Sequence, residues 1–273
     1  TGNMPVIGGT WGGSGSSVIL GSGLGSPGGF AEASGNEIKI GTSGSAQTNQ
    51  FAAVTNGTVY MSYLIQFNSI KNVGVMWGGL SFNGGAEYAQ LQYTNTAGNT
   101  YYQLGLGGRS TVVGTNAMLP TQFTVGQTQL VVVAYTFISG AANDIMSLWI
   151  NPNSSTFGAG SAPAADLLQI ATTEAGSLNT IDIKNSSTLP ANTILDEMRV
   201  GTAWASVVPA ASSAPSGDAD SDGIPDEWEN QHFGGNTNAN PHAMAANGIN
   251  TIYETYIAGL NPTNPSARFA VSN

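Results

Sequence analysis

The sequence contains no cysteine, only two histidines and few charged residues. Without cysteine it can form neither disulfides nor thiolate metal sites, and it has no cysteine nucleophile. With histidine only at His232 and His242, it is poorly supplied for zinc sites and for Ser-His-Asp hydrolysis. Charged residues make up 8% of the chain, against roughly 25% in typical soluble domains. This scarcity argues against coiled coils and helical bundles.

The few charges that are present are mostly acidic. Six lysines and arginines face sixteen aspartates and glutamates, which gives a formal net charge of −10. Such a chain lacks the basic patch that binds a phosphate backbone, so we expect no nucleic-acid partner. The longest apolar run, Leu130–Ile138, is too short to cross a bilayer. We therefore expect no membrane span.

Glycine is abundant, and the chain alternates short β-rich segments with turn residues. The 37 glycines are about twice the usual share of roughly 7%, and this spacing of strands and turns is typical of a β sandwich. One segment, Gln129–Phe137, is apolar on both of its faces, which predicts a central strand that is covered on both sides. The predicted strands are Glu37–Ile40, Thr58–Phe67, Val73–Phe82, Tyr88–Tyr93, Tyr101–Leu106, Gln129–Phe137, Ile145–Asn151, Thr180–Ile183 and Ile194–Gly201.

The acidic residues are concentrated near the C-terminus, after a segment rich in alanine, serine and proline. Residues 210–273 hold seven acids and one base, while residues 1–209 hold nine acids and five bases. The Ala/Ser/Pro segment is typical of an extended linker. We predict five parts: a glycine-rich segment 1–17, a β domain 18–208, a linker 209–217, a calcium-binding module 218–262 and a tail 263–273.

The segment from Asp218 to Glu229 has the spacing of a calcium-binding loop. Oxygen ligands fall at loop positions 1, 3, 5, 9 and 12, glycine stands at position 6, where the chain must turn sharply, and position 7 offers a backbone carbonyl. Acidic side chains packed this closely repel one another unless a cation lies among them, and a set made only of oxygen atoms favours Ca²⁺ over zinc or copper. The predicted ligands are Asp218, Asp220, Asp222, Ile224, Asp226 and Glu229.

This loop and the residues after it resemble the thrombospondin-type-3 and dockerin-like calcium modules. The resemblance implies a first helix from Pro225 to Phe233 and a second from Ile249 to Leu260, with Trp228 packed against the second. Such modules usually carry a second loop before the second helix. Here Ala243 and Ala245 stand where ligands are expected, so we expect one full calcium site and one loop that keeps only its turn, although Glu254 occupies the last ligand position.

The first part of the chain resembles the laminin-G-like, concanavalin-A-like jelly rolls of bacterial secreted proteins. The segments that carry the resemblance are 130–144, 147–152 and 194–205. It implies a fold that is mainly β: a two-sheet antiparallel jelly-roll sandwich, followed here by a small two-helix calcium-binding module. It also implies an extracellular protein, secreted or at the cell surface. It implies no activity, because this fold carries lectins, hydrolases, lyases and spacers alike.

The sequence offers no clear catalytic constellation, and we expect that the protein is not an enzyme. The β domain lacks the Glu-x-Asp-x-x-Glu triplet of related glycosidases and has no histidine and only five bases for a lyase. Asp196 and Glu197 are neighbours on a predicted strand, so they should point to opposite faces. We expect one of them to pair with Arg199 and the other to be solvated.

Two roles remain. The first is an extracellular structural protein that assembles with copies of itself into a fibre or surface layer. The tail after Pro265 carries the alternating apolar residues Ala267, Phe269 and Val271, which could add a strand to a neighbouring subunit. The alternative is a glycan-binding or adhesive module with a polysaccharide partner. Tyr101 and Tyr102 are adjacent on a predicted strand, so one of their rings should be exposed.

Overall fold

The computed structural model divides the chain into two compact units, residues 1–211 and 212–273. The predicted segment 1–17 is described only at residues 12–14, and most of the predicted linker lies outside the described residues. Within that linker, residues 209–211 belong to the first unit, where Ala211 donates a backbone hydrogen bond to Gly29. The structure describes residues 12–14, 18–20, 23–30, 37–39, 46–70, 77–81, 87–107, 117–171, 173–184, 193–211, 218–235 and 237–267.

The first unit contains two antiparallel sheets. In the eight-stranded sheet the order is β1 (Gly12–Ser14), β4 (Ala46–Val54), β14 (Leu178–Lys184), β6 (Trp77–Ser81), β7 (Glu87–Ala97), β8 (Tyr101–Gly107) and β10 (Phe123–Thr124), and β9 (Ala117–Met118) also pairs with β8. In the seven-stranded sheet the order is β13 (Leu167–Ile170), β12 (Ile145–Ile150), β11 (Thr128–Phe137), β5 (Gly57–Phe67), β15 (Thr193–Gly201), β3 (Glu37–Lys39) and β2 (Val18–Leu20).

The two sheets enclose the main hydrophobic core, so the first unit is a β sandwich. Alternate residues of β5 and β11 face residues of β7 and β8 across this core. The largest fully buried side chains in it include Tyr93, Tyr102, Tyr135 and Phe67. The ring of Phe67 makes an edge contact with that of Tyr102, with 4.9 Å between the centroids. The prediction of a mainly β, antiparallel fold is confirmed.

A second core covers the outer face of the seven-stranded sheet. The three outward residues of β11 that take part are Leu130, Val132 and Ala134. They are covered by residues 23–30 and by the one-turn helix α1 (Trp204–Val207). The two faces of β11 are thus both buried, as its unbroken apolar sequence predicted.

The prediction that one acid of the pair Asp196 and Glu197 is solvated is wrong. Strand β15 carries a bulge between Asp196 and Arg199, and Glu197 adopts a φ of 50° there. Glu197 forms the expected ion pair with Arg199. Asp196 is buried rather than solvated, and its carboxylate accepts hydrogen bonds from the backbone N–H of Leu24 and of Glu197, both at 2.8 Å. The bulge allows both acids to find partners inside the fold.

The second unit is built on two short helices, α2 (Asp226–Phe233) and α3 (Ile252–Ile257). Helix α2 begins after Pro225 and ends at Gly234, which has the left-handed φ of 72° that glycine favours. Helix α3 begins later than predicted because Thr251 and Glu254 form a capping box. The ring of Trp228 contacts that of Tyr256, with 5.6 Å between the centroids, so the predicted packing of the two helices is confirmed. No helix in the described part of the chain is long and apolar enough to span a membrane.

Candidate metal centre and polar sheet face

The structure brings three of the predicted calcium ligands together. Carboxylate oxygens of Asp218, Asp220 and Asp222 lie within 4.8 Å of one another. Hydrogen bonds to the backbone shape the loop: Asp218 accepts from the N–H groups of Asp222 and Gly223, and Asp222 accepts from that of Ile224. Gly223 has a φ of 92°, which supplies the sharp turn that loop position 6 requires.

Three predicted ligands lie outside this group of three carboxylates, and two of them, Asp226 and Ile224, anchor the loop. Asp226, at the start of α2, accepts a hydrogen bond from the backbone N–H of Ala219 and so ties the helix to the loop. Ile224, the predicted carbonyl ligand, buries its side chain in the core of the second unit beside Ala239, Ala245 and Ile252. The loop is therefore anchored to the core at its centre and to the helix at its end.

Glu229, the last predicted ligand, is fully buried. One carboxylate oxygen accepts a hydrogen bond of 2.7 Å from the backbone N–H of Ala239. The other oxygen, Oε2, is buried and has no hydrogen-bond partner. A buried carboxylate oxygen without a partner is costly, and a cation in the adjacent acidic loop would satisfy it.

The electrostatics of the loop also fit a cation. Burial raises the pKa of Glu229; the hydrogen bond from Ala239 opposes this, and the charges of Asp220, Asp222 and Asp226 raise the pKa further. The pKa of Asp220 is raised by desolvation and by the nearby carboxylates of Asp222 and Asp218. These side chains destabilise one another's charged forms, and a bound cation would reverse that effect.

The second loop of this unit is held by a side-chain amide. Asn247 accepts hydrogen bonds from the backbone N–H groups of Ile249 and Asn250, and its amide group donates to the carbonyl of Ala267. Glu254 is engaged in the capping box, where it accepts from the N–H of Thr251. The expectation that this loop binds no strong metal stays a prediction.

The predicted self-assembly residues are described only in part. Ala267 is half-buried, and its carbonyl is the acceptor of the Asn247 amide. Phe269 and Val271 lie outside the described residues.

A row of polar side chains crosses the outward face of the eight-stranded sheet; the sequence analysis did not identify it. Its members lie on β4, β7 and β14, and we call them the polar row: Thr48, Gln90, Gln92, Thr180 and Asp182. The alternate residues of the same strands, such as Leu91 and Ile181, point into the main core. The alternating pattern from Gln90 to Tyr93 was visible in the sequence, but it did not reveal that the polar side chains are buried.

The strand register aligns this row. Asp182 lies opposite Thr48 on one side and Gly79 on the other, and Gln90 lies opposite Gly107. The pairing of β6 with β7, between these two sets, has an irregularity between Gly78 and Leu80. The row therefore joins β4, β14 and β7, with β6 lying between β14 and β7.

The same face carries an exposed aromatic ring on β8. Tyr101 is 42% exposed, while its neighbour Tyr102 is fully buried against Phe67 and Phe123. The prediction that one of the two tyrosines is exposed is confirmed.

No protein-family model and no curated protein match the chain. Solved structures with a similar fold do exist, at low identity. An alginate lyase mutant in complex with an alginate tetrasaccharide shares 12% identity with a TM-score of 0.40, over 68% of this chain and 97% of that one. The CBM2 module of an evolved Dit protein of Lactobacillus casei phage J-1 shares 11% identity with a TM-score of 0.34, over 69% of this chain and 90% of the module.

A third similar structure is the sialidase of Trypanosoma rangeli, in complex with a difluorinated sugar acid. It shares 14% identity with a TM-score of 0.37, and the match covers 65% of this chain but only 27% of the sialidase. All three neighbours are β-rich proteins. Two of them are enzymes, which contradicts the exclusion of enzymes drawn from the sequence, but the similarity assigns no activity to this chain. The sequence argument failed because a shortage of histidines and bases cannot exclude activities that the same kind of fold carries in other proteins.

Proposed function

We propose that this chain is an extracellular calcium-binding protein in which one Ca²⁺ organises the second unit. The observation that carries the proposal is the buried, unpartnered oxygen of Glu229. The charges of the loop carboxylates raise the pKa of this residue. Three of the loop carboxylates, those of Asp218, Asp220 and Asp222, already lie close together. A divalent cation would relieve the repulsion and provide the missing partner in a single step.

The chemistry of the donors favours calcium over other metals. All side-chain donors are carboxylates, and Ca²⁺ prefers six to eight oxygen ligands, which often include a bidentate glutamate at the last loop position. Asp218, Asp220, Asp222, Asp226 and Glu229 would supply side-chain oxygens, and Ile224 would supply its carbonyl. Such modules in extracellular proteins bind calcium at concentrations that are ordinary outside cells.

Calorimetry tests this proposal. Thermal unfolding of the full chain should show a transition that moves to lower temperature when calcium is removed with a chelator, and Asp222→Ala should mimic the removal. A calcium titration of the untreated chain should give a stoichiometry near one. Identical unfolding with and without the chelator would refute the proposal.

We also propose that copies of this protein assemble by strand addition. The supporting observation is the edge strand β13, on which Leu168 is 62% exposed and Ile170 is 50% exposed. An edge strand offers unpaired backbone groups, and exposed apolar side chains at every second position suit an added strand. The alternating segment with Phe269 and Val271 has the complementary pattern.

Glycan binding is the second candidate function, and the exposed ring of Tyr101 on the outward face of the eight-stranded sheet favours it. An exposed aromatic ring offers an apolar face with a polar hydroxyl at its edge, which suits a sugar ring. Retention of the protein in native gels that contain neutral polysaccharides would test this function. Unchanged mobility in every gel would speak against it.

A further inference from the structure

We propose that the second unit carries a docking surface for a partner protein, an apolar patch on and beside helix α3 that binds a cationic amphipathic helix. The patch consists of Met244, Ile249, Tyr253 and Ile257. This partner is additional to the calcium, the second copy and the glycan proposed above.

The patch stands out by its exposure. Its four side chains are between 40% and 66% exposed, and they make up half of the exposed large apolar side chains in the described part of the chain. All four fall within residues 244–257. Large apolar side chains gathered in this way on a protein surface mark interaction sites.

The position of the patch follows from the two sides of helix α3. Ile252 and Tyr256 pack into the core of the second unit. Tyr253 and Ile257 are one turn apart on another side of the helix, so their side chains are neighbours. The other two members lie close to the start of the helix: Met244 forms an antiparallel bridge with the cap residue Thr251, and Ile249 lies in the loop before it.

The patch is formed before a partner arrives. The capping box between Thr251 and Glu254 fixes the start of the helix, and the ring of Tyr253 lies beside Gly223 of the acidic loop. A surface that is already ordered loses less conformational entropy when it binds.

The shape of the patch suits a helix. Tyr253 and Ile257 are four residues apart and form the kind of ridge that packs between the side chains of a facing helix. A partner helix would present apolar residues at the matching spacing along one side. Its polar side would then border the acidic surface of the unit.

Charge decides which partner fits. Residues 210–273 hold seven acids and one base, and a single bound Ca²⁺ would offset only part of this excess. A partner with lysine or arginine beside its apolar residues would be attracted. A second copy would bring the same excess of acid, and an anionic membrane surface would also be repelled. The tail of the chain offers one base, Arg268, which is too little to balance seven acids.

A designed peptide tests the surface. A fluorescently labelled amphipathic peptide of leucine and lysine should bind the full chain in a calcium-containing buffer, and the binding should weaken as salt is added. Two control peptides separate the apolar from the charged contribution: a scrambled sequence of the same composition without an apolar side, and a version with glutamate in place of lysine. Both should bind at least about tenfold more weakly. Fluorescence anisotropy measures all three.

Variants locate the binding on the patch. Ile249→Ser combined with Ile257→Ser should lower the affinity about tenfold, because it removes exposed apolar area. Leu168→Ser makes the same kind of change at an exposed position of the first unit and should leave the affinity unchanged. Removal of residues 268–273 should also leave it unchanged. In the unaltered protein, the methyl NMR signals of Met244, Ile249 and Ile257 should shift when the peptide is added, a readout that stands even if the double variant fails to fold.

Four results would overturn the proposal. Equal binding of the scrambled peptide, or unchanged methyl signals, would refute the surface. Equal binding of the glutamate peptide would refute the cationic partner. Tighter binding after removal of residues 268–273 would identify the tail of the chain as the occupant. Self-association of the full chain that the double variant abolishes would identify a second copy instead.

Discussion

The ring of Tyr253 on helix α3 lies against Gly223 at the centre of the acidic loop. A Cβ atom at Gly223 would lie 3.2 Å from Cε2 of Tyr253. The contact joins the loop that we propose to hold calcium to the second helix of the same unit. Two features require glycine at position 223: the left-handed backbone conformation and the short distance to the ring of Tyr253.

Replacing this glycine should therefore destabilise the second unit. We expect Gly223→Ala to cost about 1–2 kcal/mol from the φ of 92° alone, with a further loss from the contact with Tyr253. Gly234→Ala is the matched control, because its φ is also positive but nothing lies within 4 Å of its Cβ position. Chemical denaturation should rank Gly223→Ala as the more destabilising change. Equal losses would mean that the ring contact has no effect.

Glu229 should be essential for calcium affinity. We expect Glu229→Gln to weaken calcium binding on the order of 100-fold, because the neutral amide removes a charged ligand from the site. Glu227→Gln changes an exposed glutamate of the same helix and should leave the affinity within about twofold, the effect of a surface charge. Isothermal titration calorimetry measures both. Similar losses would indicate that general charge, rather than a specific ligand, holds the ion.

Glu254 should stabilise helix α3 without binding metal. We expect Glu254→Ala to remove half of the capping box with Thr251 and to cost about 1 kcal/mol. The calcium stoichiometry should stay near one. A lower stoichiometry in this variant would show that the second loop is a metal site.

Asp196 should matter for the stability of the first unit. We expect Asp196→Ala to cost about 1–3 kcal/mol, because it leaves the backbone N–H of Leu24 without its partner in a buried position. Asp166→Ala is the control, since Asp166 holds the N–H of Ile150 in an exposed position where water can replace it. Thermal unfolding should show the larger loss for Asp196→Ala, and the opposite order would contradict this account.

Removal of residues 268–273 should prevent assembly. If this segment adds a strand to β13 of another copy, the shortened protein should remain folded and bind calcium but sediment as a monomer. Leu168→Ser combined with Ile170→Ser should have the same effect on the acceptor side. Fibres formed by the shortened protein would show that assembly uses another contact.

The sequence by itself determined those parts of the structure that depend on local spacing. The strands near Thr58–Phe67 and Gln129–Phe137 were predicted because their apolar residues recur in patterns that follow from the geometry of a strand. The first helix was expected to end at Phe233, and α2 does end there, because Gly234 follows and glycine takes a left-handed conformation at little cost. The convergence of Asp218, Asp220 and Asp222 was predicted in the same way, because they stand close together in the chain; the full ligand set to Glu229 stays a prediction.

Only the tertiary structure decided what depends on partners far away in the chain. Strand β4 was missed because its polar sequence pairs with β14 more than 120 residues later, and no local pattern records such a pairing. Asp196 was misjudged because Leu24, its partner, lies 172 residues away. The polar row joins three strands that are distant in sequence, so its burial exists only once the sheet has formed. Whether a polar side chain is solvated, paired or unsatisfied depends on neighbours that folding supplies.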